Sequence, residues 1–264
     1  MFLMSASLTD ITSNARLKVY PSTTVLQVAN SPIFRRPGYE PRAREYDVPP
    51  KGNAADSDRS KESSLYRARA SVRDIALCNR FGWFFTWTLS REAINRYDSV
   101  EVGRRVQDFL KNAVRRKGFA YVCVPERHKD GAIHFHGLCN LGSIVVERAV
   151  HPRTLLPLST IQGQPIFNMT SWKLGYSTCI PIDENYERTC NYIVKYISKD
   201  SDKVFGKWYL SSRNLVKHPP IELVDGGMDY EGFRNENPDL PEIPLYRDVC
   251  MVSMQLVNGK GGSV

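Results

Sequence analysis

No two cysteines in this 264-residue chain are spaced as Cys-x-x-Cys, which argues against a zinc ribbon or knuckle. The six cysteines stand apart at 78, 123, 139, 179, 190 and 250. Cys123 and Cys139 fall in predicted strands and read as small buried apolar residues. No Gly-x-x-x-x-Gly-Lys-Ser/Thr occurs, so no P-loop motor is visible. No apolar run reaches the length of a membrane span, and residues 1–8 are too short and too polar for a signal peptide. No internal repeat is visible. A reducing cytoplasm is the expected compartment, with no membrane partner.

What the chain has in excess is positive charge, unevenly spread. The net charge is +8 overall. Residues 219–264 carry eight acidic and three basic residues, leaving +13 on residues 1–218. A basic body beside an acidic end suits a polyanionic partner, nucleic acid above all. Hydrophobic content of 42% and aromatic content of 11% suit a globular core.

Residues 1–60 read as an N-terminal arm, partly irregular, with a short strand at 19–28 and an extended linker at 31–60. Residues 61–79 have helical periodicity, with Leu65, Ala68, Val72, Ile75 and Ala76 in one stripe. Arg67, Arg69 and Arg73 fall outside it and are candidates for contact with a DNA backbone. Residues 82–89, Gly-Trp-Phe-Phe-Thr-Trp-Thr-Leu, form the strongest strand signal. Asp98-Ser-Val-Glu101 fits a capping box. The helix it opens has a stripe of Val102, Val106, Phe109, Leu110, Ala113 and Val114, and Gly118 ends it. Residues 140–170 read as an insertion loop, 171–182 as a strand and 183–199 as a helix with Asp183 at its N-cap. A last strand is expected within 205–210. The acidic, Pro-rich segment 219–264 reads as an irregular, peripheral tail. Residues 61–218 then make one α+β domain, an antiparallel central sheet with helices packed mainly on one face.

Two constellations carry chemistry. The first is His128-Lys-Asp-Gly-Ala-Ile-His134-Phe-His136, preceded by strand-like Tyr121-Val-Cys-Val-Pro-Glu126. Alternation places His134 and His136 on one face of a strand, roughly 7 Å apart. A three-residue loop, Lys129-Asp130-Gly131, ends in a glycine that takes a left-handed conformation without strain. That register sets Glu126 opposite His134 and Val124 opposite His136, giving Glu126, His134 and His136 as metal ligands with positions open for substrate. A two-residue turn would turn Glu126 away; His128 is then the alternative ligand. Pro125 cannot donate to a ladder, so a bulge or an unpaired edge is expected there. The second constellation is Tyr192-Ile-Val-Lys195-Tyr196. Tyr192 and Tyr196 are neighbours on one helix flank, with Lys195 and Lys199 nearby. A phenol can attack phosphorus and hold DNA as a phosphotyrosine ester. A cation at the scissile phosphate and a neighbouring ammonium both assist it.

With both constellations in place, the chain resembles the HUH superfamily of rolling-circle replication initiators, in particular replication proteins of small single-stranded DNA phages and related plasmids. Phe84-Phe-Thr-Trp-Thr-Leu89 is similar to the family's first motif. Ile133-His-Phe-His-Gly-Leu138 is similar to its metal motif, and Tyr192-Ile-Val-Lys-Tyr196 to its nucleophile helix in the two-tyrosine form. The resemblance spans about residues 81–211. It implies a ferredoxin- or RRM-like endonuclease fold using Mg²⁺ or Mn²⁺. One strand of origin DNA would be nicked, the 5′ phosphate taken by Tyr192 or Tyr196 and a 3′ hydroxyl freed for a host polymerase. A host helicase would open the duplex. The rival readings are a plasmid relaxase or transposase with the same chemistry, a zinc hydrolase built on the same three ligands, and a non-catalytic module that stacks single-stranded nucleic acid on Trp83, Phe85 and Trp87.

Overall fold

The strand expected at 82–89 lies at the centre of the larger sheet, where its aromatic and β-branched side chains find cover on both faces. The computed structural model describes residues 12–36, 56–184, 186–197, 203–238, 242–246 and 249–257. Strands β1 (Thr12–Ser13), β2 (Ala15–Val19), β3 (Thr23–Ala29) and β4 (Phe34–Arg35) come first. Helix α1 (Ser57–Asn79), strand β5 (Trp83–Leu89), helix α2 (Ser99–Lys117) and the hairpin of β6 (Ala120–Arg127) and β7 (Ile133–Asn140) follow. Next are β8 (Val146–Arg148), β9 (Phe167–Met169), β10 (Gly175–Pro181), helix α3 (Tyr186–Lys195) and β11 (Leu210–Ser211). The last described elements are β12 (Ile221–Leu223), helix α4 (Tyr230–Glu236), β13 (Glu242–Tyr246) and β14 (Val249–Val257). The chain divides into two compact units, residues 67–217 and residues 1–66 with 218–264.

The central unit is an antiparallel sheet ordered β11-β6-β7-β5-β10-β9-β8. It has the α+β, antiparallel architecture that the sequence predicts. Phe85, Trp87 and Leu89 point to one face, where they bury against Val102, Val106, Leu110 and Ala113 of α2. That helix has the predicted ends. The Asp98 carboxylate accepts from the backbone N–H of Val100 and Glu101, and Gly118 closes the helix at φ +67°. Phe84, Thr86 and Thr88 point to the opposite face, which α3 overlies, with Phe84 beside Tyr192. Helix α1 buries Ala68, Val72, Ile75 and Ala76 of its expected stripe, and Tyr186 of α3 donates to the Ala76 carbonyl.

Several local expectations change. Residues 140–170 are not a plain insertion loop. They add β8 and β9 to the sheet, and two tight turns close on themselves through His151 N–H to Leu156 O and Thr160 N–H to Gln164 O. Helix α3 begins three residues beyond Asp183, whose carboxylate instead accepts from the Gln164 amide. The strand expected within 205–210 starts only at Leu210, after a single 3-10 turn over Val204–Gly206. No bulge forms at Pro125. β11 reaches only Val122 and Cys123, so the outer edge of β6 at Pro125 has no strand beside it among the described residues.

The terminal unit corrects the expectation of irregular ends. Its second sheet runs β12-β2-β3-β14-β13, antiparallel throughout, and β1 pairs with β4. Ala15, Leu26, Val28 and Phe233 form its core. The Asn14 side chain bonds the backbone of Ala29 and Met228, fixing the two halves together. Each end supplies an antiparallel pair, β2 with β3 and β13 with β14, and the ladder between β3 and β14 joins the pairs into one sheet.

Candidate active site

The hairpin has the expected register. Gly131 sits at φ +84°, Gly131 N–H donates to the His128 carbonyl, and Glu126 pairs with His134 and Val124 with His136. Asp130 stiffens the turn. Its carboxylate accepts from Ala132 N–H and from Arg96 at 2.8 Å. The Ala132 bond, then the charges of Arg96, His128 and His134, hold this carboxyl below the usual range.

Strand β5 supplies what the sequence reading missed. Thr86 pairs with His136 and Thr88 with His134 across the ladder. The Thr86 hydroxyl lies 3.1 Å from Nδ1 of His136, and that of Thr88 lies 3.4 Å from Nδ1 of His134. Each threonine holds one ring nitrogen and so orients the other, Nε2, for a different partner. At His136 that partner is Glu126, with Nε2 3.2 Å from Oε2. A hydroxyl can donate or accept. Thr86 therefore serves the tautomer that gives Nε2–H to Glu126 and equally the tautomer that frees the Nε2 lone pair for an ion. Burial, then the positive charges of His134 and His128, push His136 down to about 4, so the ring is neutral near pH 7. Burial pushes the Glu126 carboxyl up. His134 is also lowered, by burial first and then by the charges of His128 and Arg96.

Helix α3 brings the tyrosines over this face. Phe84 packs against Tyr192 at 5.7 Å, and the Tyr196 ring lies on the His136 ring at 3.7 Å, tilted by only 10°. Tyr196 sits just past the helix end, on a turn of i→i+3 bonds from Tyr196 N–H to Ile193 O and from Ile197 N–H to Val194 O. Its hydroxyl donates to that of Tyr192 at 2.7 Å. Burial and then this bond push the Tyr196 phenol well above its ordinary value. Lys195 Nζ lies 5.9 Å from the Tyr192 ring centre. Glu126, His134, His136, Tyr192, Tyr196 and Lys195 thus gather around one sheet face. His128 joins them from the turn, its ring 4.9 Å from that of His134.

The expected DNA contacts fare differently. Trp87 is fully buried, stacked on Trp172 at 4.3 Å. It cannot reach a base, because alternation puts it on the core face with Phe85. Trp83 is half-buried, edge-on to Phe167 at 5.4 Å. Arg67 is exposed on α1. Arg69 Nε donates to the Ile197 carbonyl at 2.7 Å, which ties down the Tyr196 turn. Arg73 lies near the Cys190 thiol of α3, which burial pushes up to about 12. Lys199 lies outside the described residues.

The donor set of one carboxylate and two imidazoles fits a divalent ion in type, and the threonines orient the imidazoles as metal-bound histidines are oriented. Among the described residues, no group of three or more His, Cys, Asp or Glu side chains stands close enough together to hold an ion. No helix among them is long and apolar enough to cross a membrane.

No curated protein and no solved structure matches the chain. Residues 82–201, from the central strand through the tyrosine helix, match the model of a family of replication-associated proteins, the ORF2 type.

Proposed function

We propose that the chain starts rolling-circle replication as a metal-dependent nicking and joining enzyme of the HUH type, acting on single-stranded origin DNA. The observation that carries this reading is the meeting of Tyr196 with His136, rings 3.7 Å apart, beside the Glu126–His136 contact. A phenol nucleophile and an ion-binding face belong together in phosphoryl transfer, and a core histidine needs neither. The family match to residues 82–201 supports a role in replication.

Glu126, His134 and His136 would hold Mg²⁺ or Mn²⁺, which when bound would neutralise charge on the scissile phosphate. Thr86 and Thr88 hold the imidazoles to their ladder positions, and Lys195 offers a positive charge beside Tyr192 for a phosphate oxygen. A tyrosine hydroxyl forms the ester with the 5′ phosphate and the 3′ oxygen leaves as a hydroxyl. A host polymerase would extend that end and a host helicase would open the duplex ahead of it. The burial of Trp87 weakens the rival reading of a stacking module.

The test is a covalent-adduct assay. The full-length protein is mixed with single-stranded DNA and Mn²⁺ and run on a denaturing gel. A DNA-linked band that needs the metal, and is lost in His136→Ala and in Tyr192→Phe/Tyr196→Phe, is expected. DNA binding without any adduct would refute the enzymatic reading.

A further inference from the structure

We infer that the bond between the two tyrosine hydroxyls sets the order of the two cleavages: Tyr192 is esterified first, and its esterification releases Tyr196 for the second. This inference rests on the tyrosine-nuclease reading above.

The two phenols are not equivalent. Tyr196 is the donor and Tyr192 the acceptor of their 2.7 Å bond. An oxygen that accepts a hydrogen bond is favoured as it turns anionic, so the bond assists attack by Tyr192. Attack by Tyr196 would first require its own proton to leave that bond. Access agrees with this. Tyr192 is 45% exposed, whereas Tyr196 is half-buried with one ring face on His136 and an edge-to-face contact with Tyr192. Charge agrees too, because Lys195 lies 5.9 Å from the Tyr192 ring centre. Tyr192 is on the regular part of α3, and Tyr196 on the turn beyond it. The second nucleophile is therefore on the element that can swing.

In the first step Tyr192 Oη bonds to phosphorus and the P–O3′ bond breaks. The phenol proton passes through solvent to the 3′ oxygen, leaving a free 3′ hydroxyl and the 5′ end on Tyr192. The ester oxygen now shares its electrons with phosphorus and is a weak acceptor. Tyr196 loses its partner and becomes free to turn toward a second phosphodiester. There its Oη bonds to phosphorus, a new 3′ hydroxyl leaves, and that hydroxyl attacks the Tyr192 ester. The joined strand departs and the Tyr192 phenol is restored.

The test uses the full-length chain with Mn²⁺ and a randomised pool of single-stranded DNA. Covalent complexes are captured under denaturing conditions, their DNA is sequenced, and the selected oligonucleotide is used in time courses. Tryptic mass spectrometry locates the adduct. In the wild type the earliest adduct is expected on Tyr192, at least about tenfold over Tyr196. Tyr196→Phe keeps the ring on His136 but has no hydroxyl. It should form the Tyr192 adduct a few-fold more slowly and complete no strand transfer. Tyr192→Phe should slow adduct formation about tenfold or more. Early adduct on Tyr196, or an even division, overturns the order while leaving the nuclease reading intact. No adduct in any variant that still binds the oligonucleotide overturns the nuclease reading and the order with it.

Discussion

The ring of Tyr196 covers the ring of His136, face to face at 3.7 Å. Together with the strand bed beneath, this cover keeps water from the imidazole and explains why burial dominates its lowered pKa of about 4. The unfolded chain titrates near the ordinary histidine value of about 6.5. Between about 6.5 and about 4 the unfolded state binds more protons than the folded one. Stability is therefore retained above this window and lost as pH falls through it. Urea unfolding in chelator should show a midpoint that drops across the window, and His136→Gln should flatten that drop. An unchanged pH slope in the variant would mean that other groups cause the acid sensitivity.

Thr86 and Thr88 should matter to metal use more than to folding. Thr86→Val and Thr88→Val keep the β-branched shape but remove the hydroxyls at Nδ1 of His136 and His134. Loss of such partners costs about 10- to 100-fold in metal affinity or activity. Adduct formation should fall by that factor at limiting Mn²⁺ and recover at high Mn²⁺. A loss that added metal does not repair would place the threonines outside the metal's support.

Gly137 follows His136 for a steric reason. A Cβ there would overlap the Phe85 ring and stand 2.8 Å from Cβ of Cys123. Phe85 and Cys123 are both fully buried, so neither can move aside cheaply. Gly137→Ala should cost about 1–3 kcal/mol or more, as overpacking does, read as a lower urea midpoint. Pairing it with Phe85→Leu should recover part of the loss.

Arg69 separates a structural role from a DNA-binding one. Its Nε is committed to the Ile197 carbonyl. Arg69→Ala should lower stability by about 1 kcal/mol and slow adduct formation through a looser Tyr196 turn. Each phosphate contact contributes about one unit to the salt slope of DNA affinity. The slope should stay unchanged in Arg69→Ala; a decrease of about one unit would return Arg69 to the DNA interface.

The hairpin register was readable because one residue decided it. Gly131 permits the left-handed turn, and from there the pairing of Glu126 with His134 follows by counting. The helix from Ser99 to Lys117 was readable from its caps. Thr86 and Thr88 were hidden because threonine in a strand reads as ordinary β-propensity, and their partners lie on a strand beyond α2. Strict alternation along residues 83–89 already set Trp87 on the side of Phe85, which the reading of three stacking aromatics overlooked. The early end of α3, and with it the unlike settings of Tyr192 and Tyr196, depends on tertiary packing that periodicity does not express.

The second sheet has a consequence for synthesis. Ala29 pairs with Met251, and Thr23 with Val257. During translation β3 leaves the ribosome long before β14 exists. Its apolar residues, Val25, Leu26 and Val28 among them, must stay out of wrong pairings until the last strand emerges. The phosphoryl-transfer chemistry proposed for residues 67–217 rests on strands and helices that are all made earlier. A ribosome stalled before β14 would thus present a catalytic unit whose own strands are already complete, attached to a sheet still short of two strands.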